Sequence, residues 1–301
     1  MDERKALDAT ASGLMIVLCM IWGLQQVILK MAAPDISPLM QIALRSGLAA
    51  LLLLPLLYLD KSSQLFNRQN LKAGLVVAFL FSLEFFLLAQ ALQLTSASHA
   101  VVLLYTAPIF VALGLHWRLP SERLSLLQWT GIGIAFFGIA VTFLRANSGV
   151  SIVDQQMLWG DLLALAGGIA WAATTITVRL SSLAQAAVTQ TLFYQLAGSF
   201  VLLFGLALVL GQAPIHFSPL VIGSLAFHTL VVSFASFLAW FWLLRNYLAS
   251  RLGVFSFLTP LFGMAFGVWL LGEKIELNFI IGSALVLLGI VVVSLQGWLK
   301  K

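Results

Sequence analysis

The sequence predicts an all-α integral membrane protein with ten transmembrane helices, arranged as two inverted five-helix repeats, and three observations lead there. First, the 301 residues are 61% hydrophobic and 9% charged, with a mean hydropathy of +1.04. A water-soluble fold built from them would have almost no polar surface to show. Second, ten apolar runs of about twenty residues, the length that crosses the hydrocarbon core as a helix, follow one another with short polar or proline-containing breaks. Third, residues of the first half recur in the second at nearly constant spacing.

The first run, 11–30, follows a charged N-terminus bearing Asp2, Glu3, Arg4, Lys5 and Asp8. It is long, no Ala-x-Ala cleavage site follows before the next apolar stretch, and further spans come after it, so it reads as a membrane helix rather than a signal peptide. It contains the one cysteine, Cys19, which excludes an intramolecular disulfide and packs as a small apolar group. The second run, 38–59, holds Arg45, and the third, 73–94, holds Glu84. The fourth, 98–119, carries His99, Tyr105, Pro108 and His116; the fifth, 125–144, is marked by Gly131 and Gly138. The sixth, 158–179, opens near Asp161, where a carboxylate suits the positive end of the helix dipole, and contains Trp171 and Thr175. The seventh is 187–210, and the eighth, 220–244, contains His228. The ninth, 251–271, carries Ser256, Pro260 and a Gly263-x-x-x-Gly267 pattern that permits close helix approach, and the tenth, 277–298, carries Gly282 and Gly289. The longest breaks, 60–72 and 145–157, leave no room for a soluble domain. The chain therefore divides into a first repeat at 1–145, a periplasmic connection at 146–157 and a second repeat at 158–301.

A net charge of +5 and a pI near 9.6 would suggest nucleic acid in a soluble protein. The sixteen Lys and Arg are instead scattered singly through the connections, where they set topology. With the N-terminus cytoplasmic, twelve of them fall inside, only Lys30, Arg145 and Lys274 fall outside, and Arg45 lies within a helix. Both termini are then cytoplasmic, which an even number of spans requires.

The internal match fixes the repeat. Leu92-Gln93-Leu94-Thr95-Ser96-Ala97-Ser98 can be laid on 244–250, so that Ala97/Ala249, Ser98/Ser250 and Pro108/Pro260 share a shift of 152 residues. Glu122/Glu273, Gly131/Gly282 and Gly138/Gly289 follow at 151, and Trp22/Trp171 and Lys30/Arg179 at 149. Five helices is an odd number, so the second repeat enters from the opposite side, an arrangement that places substrate at the repeat interface near mid-membrane.

On these residues the chain resembles a known family. Trp22-Gly23 and Trp171-Ala172, Arg45, and the series from Ala249-Ser250 through Pro260 to Leu271-Gly272-Glu273 are similar to the EamA-type branch of the drug/metabolite transporter superfamily. The resemblance covers nearly the whole chain, and in length and aromatic content it extends to bacterial exporters of aromatic amino acids. It implies a multi-pass protein of the bacterial inner membrane, inward and outward states, and export of amino acids or related metabolites.

The residues themselves suggest where a cargo would sit. Trp22 and Trp171 are mid-helix and repeat-equivalent, so the pseudo-two-fold faces them toward one another, with Gln26 and Thr175 one turn further along the same faces. They line a ring-binding site or simply pack the repeats together. Pro108 and Pro260, near the middle of their helices, free carbonyls near 104 and 256 and act as hinges or shape a cavity, with Tyr105 and Ser256 beside those turns. Arg45 and Glu84 sit at similar depths and form a structural ion pair; alternatively Glu84 faces the cavity and holds an ammonium or a coupling proton. His228 and His99 complete the candidate set for substrate binding, His228 as a group able to bond a carboxylate or titrate near neutral pH.

No catalytic motif, metal-binding cluster, phosphate loop or nucleic-acid patch is present. The sequence thus predicts no enzyme, no cofactor and no metal. Its expected partners are the lipid bilayer and a small-molecule cargo, an amino acid or similar metabolite; a monomer suffices, and oligomeric state is left open. The leading expectation is a secondary exporter of aromatic or apolar amino acids working by alternating access. Export of other metabolites or drugs is the alternative, and an intramembrane enzyme ranks below both.

Overall fold

A computed structural model describes residues 8–60, 65, 67–118, 123–143, 152–247, 256 and 258–299. It is almost entirely helical, with an isolated antiparallel bridge between Ile36 and Ile215. The helices are α1 (Ala9–Met31), α2 (Pro38–Leu59), α3 (Arg68–Leu94), α4 (Ala97–Leu104), α5 (Ala107–Arg118), α6 (Leu126–Phe143), α7 (Ile152–Leu180), α8 (Val188–Val209), α9 (Pro219–Ala226), α10 (Phe237–Asn246), α11 (Leu258–Leu271) and α12 (Leu277–Leu299). A π-helical stretch, Phe227–Ser236, joins α9 to α10.

Local chemistry starts these helices where it does. Side-chain oxygens of Asp8, Ser37, Asn67, Ser96 and Ser218 accept from backbone N–H groups of the first turns of α1, α2, α3, α4 and α9. Pro38 and Pro219 occupy first-turn positions that need no N–H donor. Among the described residues seven helical stretches are long and apolar enough to cross a membrane, and three shorter apolar helices, Leu126–Val141, Leu258–Leu271 and Leu277–Val292, accompany them. Their outer faces carry large exposed apolar side chains such as Leu51, Phe79, Phe137, Val201 and Trp269, which is stable only against lipid.

The helices interleave the two halves of the chain. α1 lies on α11, α2 on α8, α3 on α7 and α8, α4 on α7 and α11, and α6 on α12. Absent side chains make the tightest of these contacts. A Cβ on Gly23 would come within 2.8 Å of the Gly263 backbone nitrogen, and one on Gly138 within 2.7 Å of the Gly282 oxygen. Gly263 itself is closed over by Val101, so the Gly263-x-x-x-Gly267 pattern packs within the chain.

Three expectations change. α7 begins at Ile152 rather than near 158, which puts Asp161 inside the helix and not at its mouth. The fourth apolar run is broken: α4 ends at Leu104, α5 starts at Ala107, and Pro108 stands in the first turn of α5. Pro260 likewise falls in the first turn of α11 instead of mid-helix. Glu122, Ala249 and Ser250, which anchored the repeat match, lie outside the described residues.

Candidate functional site

Polar side chains collect in the middle of the bundle. Arg45 on α2 is buried; its Nη1 donates to Gln25 Oε1 on α1 at 3.0 Å, and its guanidinium carbon sits 4.6 Å from the centre of the Phe85 ring, a cation–π contact. Glu84, also buried, leaves Oε2 without a hydrogen-bond partner. Arg45 and Glu84 are electrostatic neighbours, yet the expected direct ion pair is not formed. The neutral amide of Gln25 and the face of Phe85 hold the guanidinium instead. Beside them Gln26 is 1% exposed with neither amide atom partnered. Buried polar atoms without partners are rare because each forfeits its hydration, so a group of them marks a place where something else bonds.

Aromatic rings lie nearby, Trp22 one turn before Gln25 and Gln26 on α1 and Tyr105 beside Glu84. Trp22 donates from Nε1 to Ser236 Oγ at 3.0 Å and meets Trp240 edge-on at 5.7 Å. Trp171 meets Tyr105 edge-on at 5.1 Å, and Tyr105 is an electrostatic neighbour of Glu84. The two repeat-matched tryptophans therefore do not stack on one another; each is held by a ring from its own surroundings. At the α4/α5 break the freed Leu104 carbonyl faces Gly168, where a Cβ would lie 2.8 Å away, and the Leu103 carbonyl accepts from Thr106 Oγ1 at 2.6 Å. Ser256 is half-buried, and its carbonyl accepts from Thr259 N at 3.1 Å. His228 is fully buried between α1 and α2, with ring nitrogens near the Ser224 and Gln25 carbonyls.

Exposure along α7 shows where the interior opens. On its inward face Asp161, Ala164 and Gly168 are buried, Trp171 is half-buried and Thr175 is exposed. Leu162, Ile169 and Leu180 mark the lipid-facing side, and at 3.6 residues per turn Thr175 points well away from them. Thr175 is thus exposed on the inward face of α7, toward the end of the bundle at which α1 begins, called below the amino end.

The opposite end, bearing the α1–α2, α3–α4 and α11–α12 connections and called the loop end, is tied shut across the halves. Thr95 Oγ1 donates to Asp161 Oδ1 at 2.5 Å, and His99 Nδ1 lies 3.0 Å from the Asp161 carboxylate. The His99 ring stacks on Phe279 with centroids 3.6 Å apart. Glu273 accepts from Ala97 N at 2.6 Å, Ser98 N at 3.0 Å and Ser98 Oγ at 2.6 Å, an anion on the N-terminus of α4. Lys30 Nζ donates to the Thr95 and Leu92 carbonyls. Ser37 Oγ donates to the Gln212 carbonyl at 2.7 Å, and Ser218 Oγ to Asp35 at 2.7 Å.

Of the residues expected at the site, Trp22, Gln26, Glu84, Tyr105, Trp171 and His228 fall in or beside the central group, and Thr175 on the open interior below it. His99 does not; the Asp161 carboxylate across the halves draws it into the shut end. Gln25, Phe85 and Ser236 went unnoticed in the sequence, as did the roles of Asp161 and Glu273. A mid-span amide such as Gln25 was a readable signal; the partners of the two carboxylates depend on inter-helix packing and were not. Among the described residues no group of His, Cys, Asp and Glu could hold a metal ion.

The pattern of the EamA-like transporter family matches residues 10–144 and again 158–295. The uncharacterized transporter YoaV of Bacillus subtilis is 25% identical over 276 residues, covering 91% of this chain and 93% of its own. A protein of Escherichia coli K12 named a probable amino-acid metabolite efflux pump is 25% identical over 285 residues, 92% of each chain. A crystal structure covering 95% of this chain and 98% of its own superposes with a TM-score of 0.65 at 17% identity, a likeness of fold. With two matches that together span nearly its whole length, this multi-pass helical membrane protein belongs to the EamA-like transporter family.

Proposed function

We propose that the protein is a secondary exporter of small amino acids with aromatic or apolar side chains, moving them out across a bacterial inner membrane by alternating access. Ten spans form two inverted five-helix repeats, 1–145 and 158–301, and both termini are cytoplasmic. The observation that carries the reading is the central group itself: a buried cation, a buried carboxylate and an unpartnered amide on three adjacent helices, bordered by Trp22, Trp171 and Tyr105. A free amino acid offers one carboxylate and one ammonium about a side chain. Arg45 suits the first, Glu84 the second, and Gln26 bonds to either, while the rings take an apolar side chain. The double match to the family supports the repeat, the excess of Lys and Arg in one set of connections supports the orientation, and the relative named an efflux pump supports amino-acid cargo.

Vesicles containing the purified protein and loaded with labelled phenylalanine or tryptophan test this. Release or exchange above protein-free vesicles is expected. Its absence overturns the aromatic assignment, and equal movement of unrelated amino acids leaves amino-acid transport without a preference for rings.

A further inference from the structure

His228 is fully buried in the π-helical stretch, and its two ring nitrogens face two carbonyl oxygens. Nδ1 is 2.7 Å from the Ser224 oxygen, one turn earlier on α9; Nε2 is 3.1 Å from the Gln25 oxygen on α1. Both oxygens only accept. A neutral imidazole carries one N–H, so in either tautomer one nitrogen lone pair points at a carbonyl lone pair. With the single proton on Nδ1, at the shorter contact, Nε2 is left bare against Gln25. Ser224 Oγ, 3.2 Å from Nδ1, donates to Gln41 Oε1 at 2.7 Å and does nothing for Nε2. Only the imidazolium satisfies both oxygens. A π-helical stretch is itself a costly irregularity that recurs at functional sites.

We propose that His228 is a proton-binding site of the transport cycle. The arriving proton is taken up by the Nε2 lone pair, makes the hydrogen bond to the Gln25 carbonyl and clasps α1 to the π-helical stretch; its departure to water undoes that bond and no other. The proposal rests on the transporter reading of the central group.

The charges around the imidazole give it a reason to release as well as to bind. From α2 it faces the Arg45 guanidinium, which opposes a second positive charge, and the neutral amide of Gln41. From α1 it faces Gln25, and Glu84 on α3 offsets Arg45. Gln25 links the proton to the cargo site, because its carbonyl meets His228 while its side chain holds Arg45. The helix bearing His228 starts at Pro219 at the loop end, so opening that end admits water from that side. A proton taken up there and released through the interior lined by Thr175 travels opposite to an exported cargo.

Two measurements decide it. In bilayers of protein carrying 15N-labelled histidine, with the His228 signal assigned by its loss in His228→Gln, a doubly protonated imidazole is expected to grow in as pH falls from about 8 to 5. A ring that stays neutral over that range overturns the proposal, and this measurement needs no cargo. In vesicles, an inward proton gradient is expected to speed efflux in wild type and in His216→Gln, an exposed connection residue. His228→Gln and His228→Asn should lose that acceleration, up to about tenfold per pH unit, while keeping cargo-for-cargo exchange. Acceleration that survives in both His228 variants refutes the proton site. If no form of the protein moves any amino acid at any pH, the cargo reading fails, and the nuclear resonance result still judges His228.

Discussion

The two ends of the bundle are held differently. At the loop end, carboxylates from the second half, Asp161 and Glu273, reach across to the start of α4 and are met by hydroxyl, imidazole and backbone donors. At the amino end, the cross-helix bonds include three peripheral ones: Tyr247 to Asp8 at 2.8 Å, Thr189 to Asp60 at 3.1 Å and Tyr194 to the Leu65 carbonyl at 2.5 Å. None of these crosses the interior that Thr175 lines. The difference teaches that closure in this protein is electrostatic and local. One end is sealed by two carboxylates, Asp161 buried and Glu273 half-buried, while the apolar helix faces that run the full length are common to both ends and cannot by themselves choose which is shut.

That contrast breaks most severely at Asp161. Asp161→Ala removes the acceptor for both Thr95 and His99 and is expected to cost about 3–5 kcal/mol, as for one partner lost from a buried ion pair. The loss should appear as a lower unfolding midpoint in detergent micelles. It should also appear as labelling by an aqueous maleimide of Ala164→Cys, a position with no exposure one turn below. The native Cys19, fully buried, is a silent background. An unchanged midpoint together with an unlabelled Cys would show that the seal does not depend on this carboxylate.

Glu273→Gln is the milder break. It keeps the shape and one oxygen but turns an NH2 group toward donors, and it removes an anion from the N-terminus of α4. A loss of about 1–3 kcal/mol is expected, read by the same midpoint, with His99 still on Asp161. A loss equal to that of Asp161→Ala would mean the two carboxylates act as one unit, which the double variant would reveal as non-additivity.

The helices were legible and the contacts between their polar groups were not. Apolar length alone placed α1, α2 and α8 within a few residues of their observed bounds, because in lipid each span must satisfy its own backbone. Pro108 announced the break between α4 and α5 for the same reason. Arg45 and Glu84 were recognised as neighbours from depth, but their depth could not say that Phe85 and Gln25 would intercept the guanidinium. Asp161 was misread because its role depends on where α7 begins, and a polar stretch before 158 hid six further helical residues. The tryptophan pair was found through the repeat, which relates sequence positions but is blind to the unequal partners that the surrounding helices supply.

Those unequal partners give the smallest and cleanest comparison. Trp22 spends its N–H on Ser236, whose position matches Glu84 at the 152-residue shift, while Trp171 is held by the edge of Tyr105. Replacing each by Phe removes similar ring area, so the difference between the two variants contains the hydrogen bond. Trp22→Phe is expected to lose about 0.5–1.5 kcal/mol more than Trp171→Phe. Part of that gap has a second source, since Trp22 is also the more deeply buried, and Ser236→Ala separates the two. If the bond carries the difference, Trp22→Phe in the Ser236→Ala background costs no more than Trp171→Phe. A gap that persists there assigns it to packing against Trp240, and the amino-end half of the site is then held by rings alone.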